Sequence, residues 1–163
     1  MFPITLKAAK ITAVIVILIS FSAVAGRLFA MLDIPGQLVN AITAMNIPKV
    51  SFFLLLNVML LIVGMFMETN TSILILTPLL LPVVTQVYGM DPIHFGAMLL
   101  VNLQIGMLTP PFAGNLFVAT KVANIQFNKI VRPVISYILV MLPVLAITTM
   151  FPKFSTFLVN LLK

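Results

Sequence analysis

The chain is 163 residues long, 62% hydrophobic and only 7% charged, where a soluble domain is about 45–50% apolar and about 25% charged. With a mean hydropathy of +1.25, this composition excludes a water-soluble fold and places the chain in the membrane class. The formal net charge is +6, but the basic residues are scattered singly and form no nucleic-acid-binding stripe; without cysteine there is no disulfide framework, thiolate nucleophile or cysteine metal site.

The first expected element is a retained transmembrane helix over residues 11–32. Its apolar stretch of about 22 residues is long enough to cross a bilayer and exceeds the apolar core of a signal peptide. Arg27, near its far end, is expected to snorkel to the interface. Residues 34–47 follow between prolines, with Leu38, Ile42 and Met45 at helical spacing. The segment is too short and too polar to span, and reads as an interfacial amphipathic helix.

Residues 50–88 form a long apolar run divided by Glu68, Thr69, Asn70, Thr71 and Ser72. The arms on either side are about 17 and about 16 residues, at or below the low end for a full crossing. The second arm also carries Pro78 and Pro82. Two short arms around a polar tip predict a re-entrant helical hairpin, whose tip must be buried in protein or line a wet cavity.

A loop at Gly89, Asp91 and Pro92 leads to a segment over residues 91–125 that breaks at Gly106–Asn115, "GMLTPPFAGN". Adjacent prolines flanked by glycines cannot continue a regular helix, so this reads as a discontinuous transmembrane helix. A last helix is expected over residues 128–151, and the tail reads as a short interfacial cap. Lys7, Lys10, Lys121, Lys129 and Arg132 fall on one side of this topology; Lys49, Lys153 and Lys163 fall on the other. The positive-inside rule then puts the first group in the cytoplasm and has the hairpin enter from the outer face.

A hairpin tip and a broken helix in one chain are the pattern of a secondary-transporter site. Unwound backbone carbonyls suit a small cation such as Na⁺, and half-helix N-termini suit an anion. The two breaks make Glu68, Thr69, Asn70, Thr71, Pro110 and Asn115 the candidate substrate contacts. Glu68 is the one acid outside the expected loops, and a carboxylate at membrane depth is a functional candidate by default; capping the second hairpin arm is its structural alternative. Asn57, Asn102, Gln104 and, as the alternative to substrate contact, Asn115 are expected to bridge helices by hydrogen bonds, and His94 to sit at the interface. With three acids, one histidine and none of the HExxH, GxSxG or phosphate-loop patterns, an enzyme is not expected.

The stretch from Gly64 to Phe117 resembles the C-terminal part of the large, DctM-like membrane subunit of TRAP transporters (tripartite ATP-independent periplasmic transporters). The likeness rests on the Gly64–Glu68 spacing, Pro78 with Pro82, Gly89 with Asp91, Asn102, and the "IGMLTPP" core. One departure is that Ala113 separates Phe112 from Gly114, which displaces by one the glycine that usually follows the proline pair.

The resemblance implies an all-α integral membrane fold: one half of an inverted repeat, with a scaffold helix (11–32), an arm helix (34–47), the hairpin, the broken helix and a last helix. It implies Na⁺-driven uptake of an organic anion, such as a C4-dicarboxylate or sugar acid, across the bacterial inner membrane, with Na⁺ as coupling ion and no other cofactor. The Na⁺ ligands it implies are Gly64, Gly106, Thr109 and Phe112, mainly through backbone carbonyls. The partners it implies are a small membrane subunit, a periplasmic substrate-binding protein and the first repeat, which is not among these residues. The alternatives are a purely structural remnant of a split permease, or a Na⁺/dicarboxylate symporter of similar architecture.

Overall fold

The computed structural model describes residues 2–109, 116, 119–120 and 123–162, and among these no strand occurs. The described elements are α1 (Phe2–Met31), α2 (Ile34–Met45), α3 (Lys49–Phe66), α4 (Thr69–Gln86), α5 (Pro92–Leu108), α6 (Phe127–Met150) and α7 (Pro152–Leu161). The α3, α4 and α6 helices are each long and apolar enough to cross a membrane, and the bent pair Ile19–Met31 with Ile34–Met45 passes the same test taken together. The all-α membrane architecture expected from composition is therefore present.

Helix α1 starts well before Ile11, and Arg27 near its end is exposed. The chain then bends by 58° into α2, turning at Asp33, whose φ of 51° lies in the left-handed region. Leu38, Val39 and Ile42 of α2 pack against the core, as the helical spacing requires. Met45 does not join them and is 68% exposed. The reason is local: α2 stops at Asn46, again left-handed with φ 46°, and this turn delivers Ile47 to the core in place of Met45.

The hairpin arms are longer than the sequence suggested. Each is an 18-residue helix, because α3 begins at Lys49 and α4 begins at Thr69, inside the expected tip, and continues through Pro78 and Pro82. Length alone therefore no longer argues against full crossings. What the structure does fix is the course of the chain. At the open end the Tyr88 ring stacks on Phe52, with centroids 4.3 Å apart, and its hydroxyl donates to the Ile47 carbonyl at 3.1 Å. The Lys49 ammonium donates to the Tyr88 carbonyl, also at 3.1 Å. The segment thus leaves at the end where it entered. Gly89 closes α4 at φ +63°, with Met90 N donating to Val84 O and Gly89 N to Thr85 O, a left-handed cap that glycine adopts without a Cβ clash.

The two arms touch each other little. Instead α3 packs along α5, and α4 packs on α1, α2 and α5. Leu60, Val83, Val84, Phe95, Met98 and Leu103 are fully buried where these helices meet. In a bilayer such side chains stabilise by close packing more than by removal from water. Along α6 only Leu145 is buried, which leaves most of its surface for lipid or protein neighbours.

Candidate functional site

The hairpin turns at Met67 and Glu68. Glu68 is the N-cap of α4, in extended conformation, and its carboxylate is engaged within the tip. One oxygen accepts from Asn70 Nδ2 at 2.8 Å; the other accepts from Thr71 N at 3.0 Å and Thr71 Oγ1 at 3.3 Å. An acid placed there answers the positive end of the helix and satisfies an otherwise orphaned N–H. Thr69 is buried and donates its hydroxyl to the Met107 sulfur. Ser72, fully buried, donates to the Glu68 carbonyl at 2.9 Å. Among the described residues no hydrogen bond engages the backbone N–H groups of Thr69 and Asn70. They are the open donors of this helix start.

Helices α3 and α5 run parallel and cross at two glycines. A Cβ built on Gly106 would lie 2.7 Å from the Gly64 Cα and 2.7 Å from the Leu61 carbonyl oxygen; one built on Gly64 would lie 2.9 Å from the Leu103 carbonyl oxygen. Neither residue is in a left-handed conformation. Their role here is to let two backbones touch, as small residues do at membrane helix crossings.

The regular part of α5 ends two residues later, at Leu108. Thr109 is its C-cap, extended at φ −88° and ψ 126°. Its N–H donates to the Gly106 carbonyl at 2.9 Å, and its hydroxyl donates to the Ile105 carbonyl at 2.8 Å. The structure thus brings together Gly64, Gly106 and Thr109 with the tip residue Thr69, which bonds to Met107. Pro110, Phe112 and Asn115 lie outside the described residues, as does the Ala113 departure.

The oxygen donors here suit a hard monovalent cation. No described N–H donates to the Gly64 carbonyl. The Gly106 carbonyl carries one bond and has a second lone pair. Among the described residues no group of three His, Asp or Glu exists to favour a transition metal.

A polar chain missed as such in the sequence runs from this crossing toward the base. Asn102, fully buried, donates through Nδ2 to Asn57 Oδ1 at 2.7 Å and to the Met98 carbonyl at 2.9 Å. Asn57 donates in turn to Thr149 Oγ1 of α6 at 3.2 Å. His94, 2% exposed, lies 3.2 Å through Nε2 from the Thr149 carbonyl and 3.3 Å through Nδ1 from Ser155 Oγ of α7. The expected helix-bridging role of Asn57 and Asn102 is therefore met, while Gln104 is exposed. His94 is a buried tie from α5 to α6 and α7. Its place after the Asp91–Pro92 cap, on the face that also carries Met98 and Asn102, was the available signal.

A cavity of about 580 Å³ opens at the far end of α3 and α5 from the tip, between them and α6. Gly64, Gly106, Thr69 and Thr109 are not in its lining, although Leu61, whose carbonyl faces Gly106, is.

Comparison with known proteins gives one family. Residues 1–154 match the model of the tripartite ATP-independent periplasmic transporter, DctM component. The isethionate TRAP transporter permease protein DctMQ of Oleidesulfovibrio alaskensis is 41% identical over 93% of this chain and 24% of its own length. The C4-dicarboxylate TRAP transporter large permease protein DctM of Pseudomonas aeruginosa is 32% identical over 96% of this chain and 36% of its own length. The sialic acid TRAP transporter large permease protein SiaM of Vibrio cholerae is 35% identical over 92% of this chain and 35% of its own length. The chain spans about a third or less of these relatives.

Proposed function

The chain belongs to the DctM-component family of tripartite ATP-independent periplasmic transporters, and from that premise we propose that it acts as a C-terminal portion of the large permease subunit, in secondary active uptake of an organic anion across the bacterial inner membrane. The relatives are named for organic anions of different kinds, so the class is proposed and not a single substrate.

The observation that carries this reading is the meeting of the α3–α4 tip with the broken end of α5. There Gly64 touches Gly106, Thr109 donates to the Gly106 carbonyl, and Thr69 bonds to Met107. In this role Na⁺ would be held by the carbonyls of Gly64 and Gly106 and by Thr109, with Phe112 contributing from the segment beyond. Bound there, the ion supplies the charge that couples substrate affinity to the Na⁺ gradient. The anion would be met by the open N–H groups of Thr69 and Asn70 and by the Asn70 and Thr71 side chains. Glu68 serves by holding the tip in shape, since its carboxylate would repel an anion directly.

Helix lengths support a re-entrant hairpin. The α5 and α6 helices share the level of His94 and Thr149. From there α5 extends about 21 Å, to the height of the tip, whereas α6 extends about 33 Å. The tip then stops well short of the level where α6 begins, within the hydrocarbon depth of about 30 Å. On this reading α1 is a scaffold helix and α2 the arm. The partners are the first repeat, a small membrane subunit and a periplasmic binding protein.

The test is uptake in cells that express this chain with the remaining permease segment, the small subunit and the binding protein. Accumulation of labelled anion that requires Na⁺ is expected. Accumulation unchanged when Na⁺ is replaced by K⁺ would sink the proposed coupling.

A further inference from the structure

The cavity at the base of α3, α5 and α6 is distinct from the transport site and has a polarised lining. It is an open groove: Phe53 of α3 and Leu145 of α6 are its buried floor, and Leu54 and Val58 of α3 with Leu142 and Ala146 of α6 are exposed along its sides. The polar groups in the wall, Asn57, His94 and Thr149, are hydrogen-bonded to one another, so the interior asks for nothing polar. At the mouth stand Lys49 and Asp91.

Both mouth residues keep bonding capacity. The Lys49 ammonium has three donors, and one goes to the Tyr88 carbonyl. Asp91 uses only Oδ1, on Ile93 N and His94 N, so Oδ2 is open among the described residues. The two charges form no ion pair with each other. An apolar interior behind a separated cation and anion is complementary to one kind of molecule. The geometry points to a zwitterionic phospholipid, with its phosphate on Lys49, its ammonium on Asp91 and one acyl chain between α3 and α6. The cavity volume lies within the range of about 300–1,000 Å³ usual for small-molecule sites, and the charged mouth lies at helix ends, where headgroups are expected.

Isolated membranes holding the full chain are loaded with phosphatidylethanolamine carrying a diazirine in one acyl chain, irradiated, and the adducts mapped by mass spectrometry. Adducts should concentrate on Phe53, Leu61 and Leu145, which line the groove and are buried or half-buried, above the level on Leu139 and Val140, which are exposed on α6 and report ordinary annular lipid. Ala146→Phe, which fills the interior, should abolish them. Lys49→Gln and Asp91→Asn, the latter still able to cap α5, should each weaken cavity labelling about fivefold, the effect of one charge near a headgroup, and leave annular labelling unchanged. A phosphatidylglycerol probe, which lacks the ammonium, should label the cavity about fivefold less than phosphatidylethanolamine. Cavity labelling no higher than at Leu139 and Val140, or insensitive to Ala146→Phe, overturns the proposal. So does its loss on co-expression of the remaining permease segment, because the cavity is then a seat for protein.

Discussion

Gly64 of α3 and Gly106 of α5 touch backbone to backbone, and neither position has room for a methyl group. This contact holds the end of the first hairpin arm against the end of the broken helix. It thereby sets the distance between the two groups of carbonyls that the transport reading uses.

Gly106→Ala should therefore be destabilising, because its Cβ would meet backbone atoms on the facing helix and no side chain can swing away. Overpacking of this kind costs about 1–3 kcal/mol, occasionally more. Gly96→Ala is the control: the same helix, with nothing within 4 Å of the added atom, where alanine should be neutral or stabilise by about 0.5–1 kcal/mol. Thermal denaturation of the two variants in the same detergent, followed by a size-based assay, checks the contrast.

Glu68 and Thr109 separate folding from transport. Glu68→Ala removes the cap and should cost about 0.5–2 kcal/mol, while Glu68→Gln and Thr109→Val should disturb transport more than folding. Thr109→Val removes the bond to the Ile105 carbonyl at the edge of the proposed cation site. Na⁺-dependent uptake at unaltered levels in both Glu68→Gln and Thr109→Val, measured in the assembled transporter, would dismiss the site assignment.

The Asn57–Asn102 bond should show direct coupling. Asn102→Ala leaves Asn57 without its best donor in the core and should cost about 1–3 kcal/mol. Asn57→Ala after Asn102→Ala should cost less than Asn57→Ala alone, since the shared bond is already gone. Asn102 Oδ1 is buried and has no partner among the described residues, so Asn102→Leu should be better tolerated than Asn102→Ala. The readout is a double-mutant cycle on the denaturation midpoint; strict additivity would contradict the coupling.

His94→Phe keeps bulk but removes the ties to Thr149 and Ser155. Two neutral hydrogen bonds together should amount to about 1–3 kcal/mol, and the loss should be local. Hydrogen exchange in α7, which His94 anchors through Ser155, should accelerate more than exchange in α4. Equal acceleration in both would show that His94 supports the whole core.

Gly89→Ala should cost about 1–2 kcal/mol from backbone strain alone, because φ is +63° and the added Cβ meets no neighbour within 4 Å. Gly89→Asn should recover part of the loss, since asparagine tolerates the left-handed region. Comparing the two midpoints isolates conformation from packing.

How much was legible in the sequence differs from residue to residue. The polar insertion from Glu68 to Ser72 marked the hairpin turn, since nothing else breaks so apolar a run, and the break after Gly106 followed from adjacent prolines. The arm lengths came out short because Lys49 was left out of the first arm and Thr69 to Ser72 were assigned to the tip, whereas Lys49 opens α3 and these four residues are the first turn of α4. Met45 was misplaced because helical spacing assumes that the helix continues, and it stops at Asn46. The ties of His94 were not legible because its partners, Thr149 and Ser155, are distant in sequence and a lone histidine carries no periodic signal.

The sequence by itself determined the membrane class, the all-α elements and the places where helices must break, because composition, proline position and polar interruption act over a few residues. It did not determine that Gly64 lies on Gly106, that Asn57 reaches Asn102 and Thr149, or that Lys49 and Asp91 flank one cavity. Those are distances between separate helices, set by how their surfaces fit together, and only the tertiary structure decides them.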